Sequence, residues 1–336
     1  MTTSRRAAAV CLSVALLWAQ PVPVLAYLKY GVQINGRTVG LAWNQTPVRY
    51  YIADQDAPGV SAVDLQAAVA RAFGTWQAVP TTSVSYQFVG LTSASPLDED
   101  GQSTMGFAAR PDLDHVLAAT TFLIDGTTGE ILESDIFFNS VFSWSVAEAG
   151  EAGRYDVQSI ALHEGGHLSG LGHSALGETA LSPGGGRRVI ASQTVMFPIA
   201  FSAGSVSGRA LRDDDITGVS DLYPAAGFRT ETGSVSGLVT QSGRGAFGAH
   251  VVAFDLTTGS LVGGFSLDAA GRFSILGLLP GPHVVRVEPL DDVDVDSFFD
   301  ASMPVDLDFR VTFSDRLAVV PRGGSSGDID VQVLAK

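Results

Sequence analysis

Three of the chain's six histidines lie close together, at positions 163, 167 and 173. Side chains four residues apart project from the same face of an α-helix, one turn above the other. His163 and His167 can therefore bind one metal ion from a single helical face. Three neutral imidazoles leave the fourth position of a tetrahedral zinc ion open, as in catalytic rather than structural sites. Zinc suits this ligand set best, although cobalt, nickel or copper could occupy it in vitro.

Gly170 explains how His173 can reach the same ion. His173 lies six residues after His167 and would point away from the ion if the helix continued. Glycine tolerates a positive φ, so Gly170 is predicted to end the helix and reverse the chain. Gly165 and Gly166 also lie in this helix, where each costs about 1 kcal/mol relative to alanine. Close packing of the helix against a neighbour would account for these two glycines.

Glu164 follows the first histidine and can take a proton from a zinc-bound water. Zinc lowers the pKa of such a water to roughly 7 and also polarises a carbonyl oxygen. The pattern H-E-x-x-H-x-x-G-x-x-H fixes five residues in order, which an accidental metal site would not require. It predicts peptide-bond hydrolysis without a covalent intermediate. The other histidines are isolated and are interpreted as structural or solvated: His115, His250 and His283.

The elements that must position these residues can be predicted from local patterns. Asp156 is a candidate N-cap of the helix that carries His163 and His167. An earlier helix should open at Ser61, with Asp64 as its capping-box partner. Its apolar residues follow at helical spacing: Leu65, Val69, Phe73 and Trp76.

Alternation and turn signals predict several strands before the histidine helix. Residues 48–52 alternate, and so do Val84, Tyr86 and Phe88. TTFLID and ILESDIFFN are joined by GTTGE, which predicts a hairpin. After the helix we expect a loop rich in Gly and Ser up to TVMFP. A last helix is then expected in RALRDDDITGVSDLY, with four residues on its inner side: Leu211, Ile216, Val219 and Leu222.

The periodicity of the apolar residues changes near residues 224–234. From Val235 onward there is no helical period, and short alternating runs are separated by turns such as DAAGR and LPGPH. This pattern is typical of a small all-β sandwich. The chain of 336 residues is long enough for two domains. We therefore expect an α+β domain over 27–226 and a β-sandwich domain over 227–336.

The first 26 residues are predicted to be a signal peptide. Arg5 and Arg6 precede an apolar core over 7–18, which is too short to span a bilayer. Val24-Leu25-Ala26 fits the small-x-small rule, so cleavage is expected before Tyr27. The alternative is a membrane anchor. The arginine pair matches a twin-arginine signal only weakly. The protein is expected to be secreted, with periplasmic or cell-surface retention as alternatives.

The composition of the chain limits which classes of partner and which kinds of fold are expected. The formal charge is −15, which disfavours nucleic acid and anionic membranes as partners. Apolar residues make up 46% of the chain, so global disorder is not expected. The single cysteine, Cys11, lies in the predicted signal peptide, so the mature chain would have no disulfide. No second apolar run approaches membrane-spanning length, and the sequence does not indicate an oligomeric state.

Residues 45–224 resemble the metzincin metallopeptidases, and among them the matrixins. The zinc helix matches from His163 to His173, Ser174 follows as in matrixins, and TVMFP resembles the Met-turn, with Met196 beneath the zinc site. Residues 211–223 resemble the closing matrixin helix. The resemblance implies a zincin-like domain, with a twisted mixed sheet above the active-site helix. It also implies one catalytic zinc, and an extended peptide substrate paired with an edge strand.

Several further features of the resemblance bear on the substrate site, on latency and on other metals. ATTFLID is the candidate edge strand, with Thr120, Thr121 and Phe122 as substrate-binding residues. The specificity-pocket wall, Pro-x-Tyr in the family, is Pro198-Ile199-Ala200 here. The propeptide cysteine switch and the histidines of a second, structural zinc are missing. Calcium at the Asp98–Asp100 loop is kept as an alternative to a solvated acidic loop.

The C-terminal region resembles carboxypeptidase regulatory-like β-sandwich domains, carried by GSVSGLVTQSGRGAFGAHVVAFD and LDAAGRFSILGLLPGPHVVRVEP. These motifs predict a fold and no ligand. The region would be a folding or spacer module, or else a module that binds substrate or a surface. The sequence as a whole predicts an exported zinc endopeptidase that cleaves proteins. Two alternatives remain: a metal-stabilised adhesion or binding protein without turnover, and a peptidase that processes only itself.

Overall fold

The computed structural model of the chain describes residues 29–34, 37–182, 186–300 and 303–336. The predicted signal peptide, residues 1–26, lies outside this part. The described chain is mixed α+β, with few helices and several separate sheets. Within it, no helix is both long and apolar enough to cross a membrane.

The four α-helices of the described chain all lie before residue 232. The strands here are β1 (Gly31–Ile34), β2 (Arg37–Gly40), β3 (Val48–Ala53), β4 (Tyr86–Thr92), β5 (Thr104–Ala108), β6 (Ala118–Ile124), β7 (Ile131–Asn139), β8 (Trp144–Ser145), β9 (Tyr155–Asp156), β10 (Gly177–Leu181) and β11 (Arg187–Ser192). The helices are α1 (Ala62–Gln77), α2 (Val157–Leu168), α3 (Asp213–Leu222) and α4 (Phe228–Glu231).

A five-stranded mixed sheet forms one layer, in the order β4-β3-β5-β7-β6. The pairs β3–β4, β3–β5 and β5–β7 are parallel, and the hairpin pair β6–β7 is antiparallel. The predicted hairpin is thus confirmed. Its first strand, β6, lies at the edge of the sheet, as expected for ATTFLID.

The helix α1 begins as predicted. The Ser61 hydroxyl accepts a bond from the Asp64 N–H, and the Asp64 carboxylate accepts one from the Ser61 N–H. This capping box satisfies two backbone donors that a helix end otherwise leaves free. The four predicted apolar residues of α1 are buried in one cluster with β3, β7 and α2.

The helix α2 packs closely on α1 because it carries two glycines. A Cβ on Gly165 would lie 3.0 Å from a Phe73 ring carbon and 3.2 Å from Trp76 Nε1. A Cβ on Gly166 would lie 2.2 Å from Met196 Sδ and 3.0 Å from Trp76 Cζ2. The Trp76 indole donates to the Leu162 carbonyl at 2.8 Å, which ties the two helices together.

We therefore expect Gly166→Ala to lower the free energy of unfolding by about 1–3 kcal/mol, as overpacking of a core does. Met196 is only 2% exposed, so its sulfur has little room to move. Urea denaturation measures the effect. Gly74→Ala on α1 is the matched control, because an added Cβ there meets no atom within 4 Å. That control should gain up to about 1 kcal/mol from helix propensity. Equal stability of Gly166→Ala and the wild type would contradict the packing.

Two sequence expectations in this part need correction. The strand predicted to include Val84 begins only at Tyr86, because the Val84 N–H donates to the Thr82 hydroxyl at 3.2 Å. The stretch expected as a loop before TVMFP contains the antiparallel hairpin β10–β11. Residues 187–190 alternate in burial, a pattern that the neighbouring glycines and serines obscured.

The closing helix is confirmed, although it starts at Asp213 rather than earlier. Val219 is fully buried in the main cluster, and Leu211, Ile216 and Leu222 pack against that cluster. The Tyr223 hydroxyl accepts from the Trp43 N–H at 3.0 Å and donates to the Ser169 carbonyl at 2.8 Å. The helix end is thereby fixed under the turn that follows α2.

The remaining chain is built from strands, as the sequence predicts. They are β12 (Gly233–Gln241), β13 (Arg244–Gly245), β14 (His250–Asp255), β15 (Leu261–Phe265), β16 (Arg272–Leu278), β17 (Gly281–Glu288), β18 (Thr312–Phe313), β19 (Ala318–Val320), β20 (Ser325–Ser326) and β21 (Val331–Val333). They form two five-stranded sheets, one centred on β12 and one on β14 and β17. Side chains of both sheets share one buried cluster.

Candidate metal centre

The helix α2 and the turn after it bring the three predicted ligands together. Asp156 caps α2, because its carboxylate accepts from the Ser159 N–H at 2.9 Å. His163 and His167 lie one turn apart on this helix. The Nε2 atoms of His167 and His173 are 3.2 Å apart. One ligand atom from each of the three histidines lies within 4.8 Å of the others.

Gly170 makes this convergence possible, as the sequence predicts. The helix ends at Leu168, and Gly170 adopts a φ of +99°. That region is open to glycine and costly for other residues. A Cβ at this position would also lie 2.4 Å from the Leu41 carbonyl oxygen. The turn therefore has no room for a side chain, in addition to its backbone requirement.

Each histidine is oriented through its other ring nitrogen. Nδ1 of His163 lies 2.7 Å from the Val195 carbonyl oxygen, and Nδ1 of His167 lies 2.8 Å from that of Leu171. The Nδ1 of His173 is 2.8 Å from the carbonyl oxygen of Ser297. A carbonyl can only accept, so each Nδ1 carries the proton and each Nε2 keeps its lone pair.

These features fit a zinc ion. Burial lowers the pKa of His163, lowers that of His167 further, and lowers that of His173 to about 3. The imidazoles are therefore neutral near pH 7, the form that ligates a metal. Zinc–nitrogen distances of roughly 2.0–2.1 Å imply tetrahedral nitrogen–nitrogen separations of about 3.3 Å. The 3.2 Å between His167 and His173 agrees with that separation.

Glu164 lies beside the cluster in a buried position, with 4% of its surface exposed. Burial raises the pKa of its carboxyl to about 7, and the Thr120 hydroxyl counteracts this rise. Thr120 Oγ1 donates to Glu164 Oε2 at 2.7 Å from the edge strand β6. A carboxyl with a pKa near neutrality can both accept and return a proton.

The turn around Met196 is held by the closing helix. The Asp215 carboxylate accepts from the Thr194 hydroxyl at 2.5 Å and from the Val195 N–H at 2.9 Å. Val195 in turn supplies the carbonyl that orients His163. Met196 lies against α2 at Gly166, in the main buried cluster. Asp215 lies in the stretch 211–223 that resembles the closing matrixin helix, whereas its contacts with the Met196 turn emerge only from the fold.

The four predicted substrate-binding residues are distributed unequally around the centre. Thr120 contacts Glu164, and the Phe122 ring centroid lies 5.5 Å from that of Tyr30. Thr121 pairs with Asp135 in the sheet and alternates away from Thr120. Pro198 is half-buried after the Met196 turn. Their role toward a substrate remains a prediction.

Sequence reasoning missed Tyr30. Its ring centroid lies 5.3 Å from that of His167, and its backbone N–H donates to the Gly170 carbonyl at 2.9 Å. Burial raises the pKa of its phenol, and the charge of Glu164 raises it further. No spacing rule connects a residue near the start of the chain with a motif more than 130 positions later, so only the fold reveals this contact.

The remaining histidines and the acidic loop lie apart from this centre. His115 is exposed, whereas His250 and His283 are buried and contact Glu288 and the Gly281 carbonyl. Asp98 and Asp100 accept hydrogen bonds from their own loop. In the described part of the chain, only the three histidines form a group compact enough to hold a metal. Calcium therefore stays a prediction.

Asp135 lies behind the same loop and gives the metal-free fold a pH dependence. Burial raises the pKa of its carboxyl to about 8, from an ordinary value of 3.8. The folded chain thus holds a proton that the unfolded chain releases, and stability falls as the pH rises from about 4 to 8.

We expect Asp135→Asn to make this dependence shallower and to be more stable than the wild type at pH 8, by on the order of a few kcal/mol. Asparagine can still accept from the Thr104 N–H, now 2.7 Å from Asp135 Oδ1. Urea denaturation of both metal-free proteins at pH 5 and pH 8 provides the comparison. Parallel pH profiles for the two proteins would show that Asp135 is ionised in the fold.

Comparison with known proteins agrees with this geometry. Residues 42–184 match the family model of the matrixins. Matrix metalloproteinase-C of Caenorhabditis elegans is 25% identical over 201 residues, which cover 57% of this chain and 30% of that protein. The matched range contains the three histidines and Glu164 but ends before Met196. This part of the chain is a matrixin-like metzincin domain.

A solved structure, the Bacillus anthracis TIE protein, is 12% identical over 31% of this chain and 17% of that chain. Its TM-score with this chain is 0.19.

Proposed function

We propose that the protein is an exported zinc-dependent endopeptidase that hydrolyses peptide bonds in proteins. The observation that carries this proposal is the convergence of three oriented imidazoles beside a buried carboxyl. His163, His167 and His173 would hold the ion through Nε2, with Glu164 next to them. A metal site that only stabilises a fold has no need of Glu164.

The chain's own residues support a proton relay. When bound, zinc supplies a Lewis acid that polarises a carbonyl and lowers the pKa of water. Glu164 takes a proton from the attacking water and returns it to the departing amine. Its Oε2 accepts from Thr120, and its Oε1 has no donor among the described residues. Thr120 thereby fixes the orientation of the base. Met196 and Asp215 hold the turn whose Val195 carbonyl orients His163.

The edge strand β6 is the proposed site for an extended peptide. Its outer edge has no strand partner within the residues the structure describes. Backbone groups along such an edge can pair with a substrate strand and give affinity with little sequence preference. Thr120 on this strand contacts Glu164, so a paired peptide would lie beside the base. Thr121, Phe122 and Pro198 would contact its side chains.

Export and domain organisation belong to the same proposal. The basic and apolar pattern of residues 1–26 supports a signal peptide that is cleaved before Tyr27. The two sheets after Gly233 support a β-sandwich domain over 227–336. The short helix α4 begins directly after the proposed boundary.

The proposal is tested with purified residues 27–336. The substrate is an unfolded protein that contains no disulfides. We expect internal cleavage of that substrate, loss of cleavage after chelation, and recovery when zinc is added back. Zinc binding with no cleavage of any substrate would favour the metal-stabilised binding protein. Release of the chain's own C-terminal fragment, with the added substrate left intact, would indicate a self-processing peptidase.

A further inference from the structure

The third histidine of the metal centre is held by the C-terminal region. His163 is oriented by Val195, 32 positions later, and His167 by Leu171, four positions later, and both acceptors lie before residue 227. The Nδ1 of His173 instead donates to the carbonyl of Ser297, 2.8 Å away and 124 positions later. Ser297 ends a single turn of 3-10 helix, Val295–Ser297, in the segment that joins β17 to β18.

We infer that Ser297 is a positioning residue of the zinc site, and that the C-terminal region is therefore a part of the metal centre rather than a spacer. The inference rests on the proposed zinc function. A carbonyl that accepts from Nδ1 fixes the tautomer and the ring orientation of a ligating histidine. Without that acceptor, His173 would be free to rotate or to carry its proton on Nε2, where it could not ligate.

The segment around Ser297 is built to hold this carbonyl in place. The Ser297 N–H donates to the Asp294 carbonyl at 3.0 Å, and the Phe298 N–H donates to the Val295 carbonyl at 3.0 Å. The Phe298 ring stands edge-on to the His173 ring, with centroids 6.1 Å apart. The same ring lies 5.5 Å from that of Phe265 on β15. The turn is thus fixed by its own backbone bonds and by aromatic packing on both sides.

The C-terminal region is also anchored on the matrixin-like domain at several separate points. Phe197, directly after Met196, is buried in one cluster with residues from the other side: Phe265, Leu290, Val293, Phe298 and Phe299. On β10, the Thr179 N–H donates to the Asp292 carboxylate at 2.9 Å, and the Thr179 hydroxyl donates to the Asp292 backbone carbonyl at 2.6 Å. The Gly263 N–H donates to the carboxylate of Asp214 on α3, at 2.8 Å. Moving the region away would expose these apolar side chains to water.

The test uses the full chain with Val295–Phe299 replaced by Gly-Ser-Gly-Ser-Gly, labelled with 15N-histidine and loaded with zinc. The wild type should show three protected Nδ1–H signals from the ligating histidines. In the replaced chain we expect the His173 signal to lose its protection from solvent exchange, while the His163 and His167 signals keep theirs. Zinc affinity, measured by competition with a chelator, should fall by about 10- to 100-fold, as loss of such partners does elsewhere.

A matched control replaces the exposed turn over 257–260, between β14 and β15, with Gly-Ser-Gly-Ser and should change neither quantity. Phe298→Ala provides a milder variant should the five-residue replacement lose all three signals. It should weaken the protection of His173 alone. Unchanged zinc affinity and unchanged His173 protection in a folded Val295–Phe299 replacement would overturn the inference. So would equal loss at all three histidines in Phe298→Ala. A wild type that binds no zinc would instead overturn the proposed function.

Discussion

Glu164→Gln should lower the rate of peptide hydrolysis by about 10²- to 10⁴-fold while leaving zinc content and fold unchanged, as removal of a general base does. Glutamine preserves the shape of the side chain and can still accept from the Thr120 hydroxyl, now 2.7 Å from Oε2. It cannot take a proton from water. The measurement is the initial rate of cleavage of an unfolded protein substrate, with bound zinc determined on the same sample.

Glu148→Gln is the control for this substitution, because Glu148 is exposed and its carboxylate lies outside the metal centre. That variant should cleave at the wild-type rate. Full activity of Glu164→Gln would remove Glu164 from the mechanism. Loss of zinc from Glu164→Gln would show that its carboxylate supports the metal site rather than the proton transfer.

Gly170→Ala should destabilise the turn that places His173, because alanine does not fit the backbone conformation at this position. Its φ of +99° is unfavourable for alanine, and the added Cβ would lie 2.4 Å from the Leu41 carbonyl oxygen. Local strain of this kind costs on the order of 1–3 kcal/mol, and the clash adds to it. Because the turn places His173, we expect both a lower free energy of unfolding and weaker zinc binding. Denaturation and chelator competition measure the two effects.

Gly259→Ala separates the clash from the backbone strain. Gly259 has a φ of +80°, yet an added Cβ there meets no atom within 4 Å. The Gly259→Ala control should therefore be destabilised only by the strain of a positive φ, and it should bind zinc like the wild type. If Gly170→Ala were no less stable than Gly259→Ala and kept its zinc affinity, the turn would not depend on close approach to Leu41.

Local sequence signals were sufficient for the parts of the fold whose causes are local. The Ser61 capping box, the Asp156 cap and the end of α2 at Gly170 each depend on residues within a few positions of one another. The hairpin β6–β7 follows from two alternating runs and a glycine turn. The histidine spacing carries its geometry with it, because the period of a helix is fixed.

The parts that could not be predicted depend on contacts that leave no recognisable residue pattern in the sequence. The acceptors for the three histidines are the carbonyls of Val195, Leu171 and Ser297, and a carbonyl is present at every position of a chain. Which carbonyls accept from the histidines therefore cannot be read from the residue types in the sequence. Gly166 is similar, because the sulfur that excludes a side chain there belongs to Met196, thirty positions later. Tyr30 reaches His167 for the same reason, through the path of the fold.

The most direct test of the zinc peptidase is a titration of the metal-free full chain with zinc, in which the hydrolysis rate and the bound zinc per chain are measured together. Three converging nitrogens from His163, His167 and His173 define one site among the described residues. The rate should therefore rise in proportion to bound zinc and level off at one ion per chain. Hydrolysis by the metal-free chain, or a rate that rises only with a second ion, would contradict this mechanism.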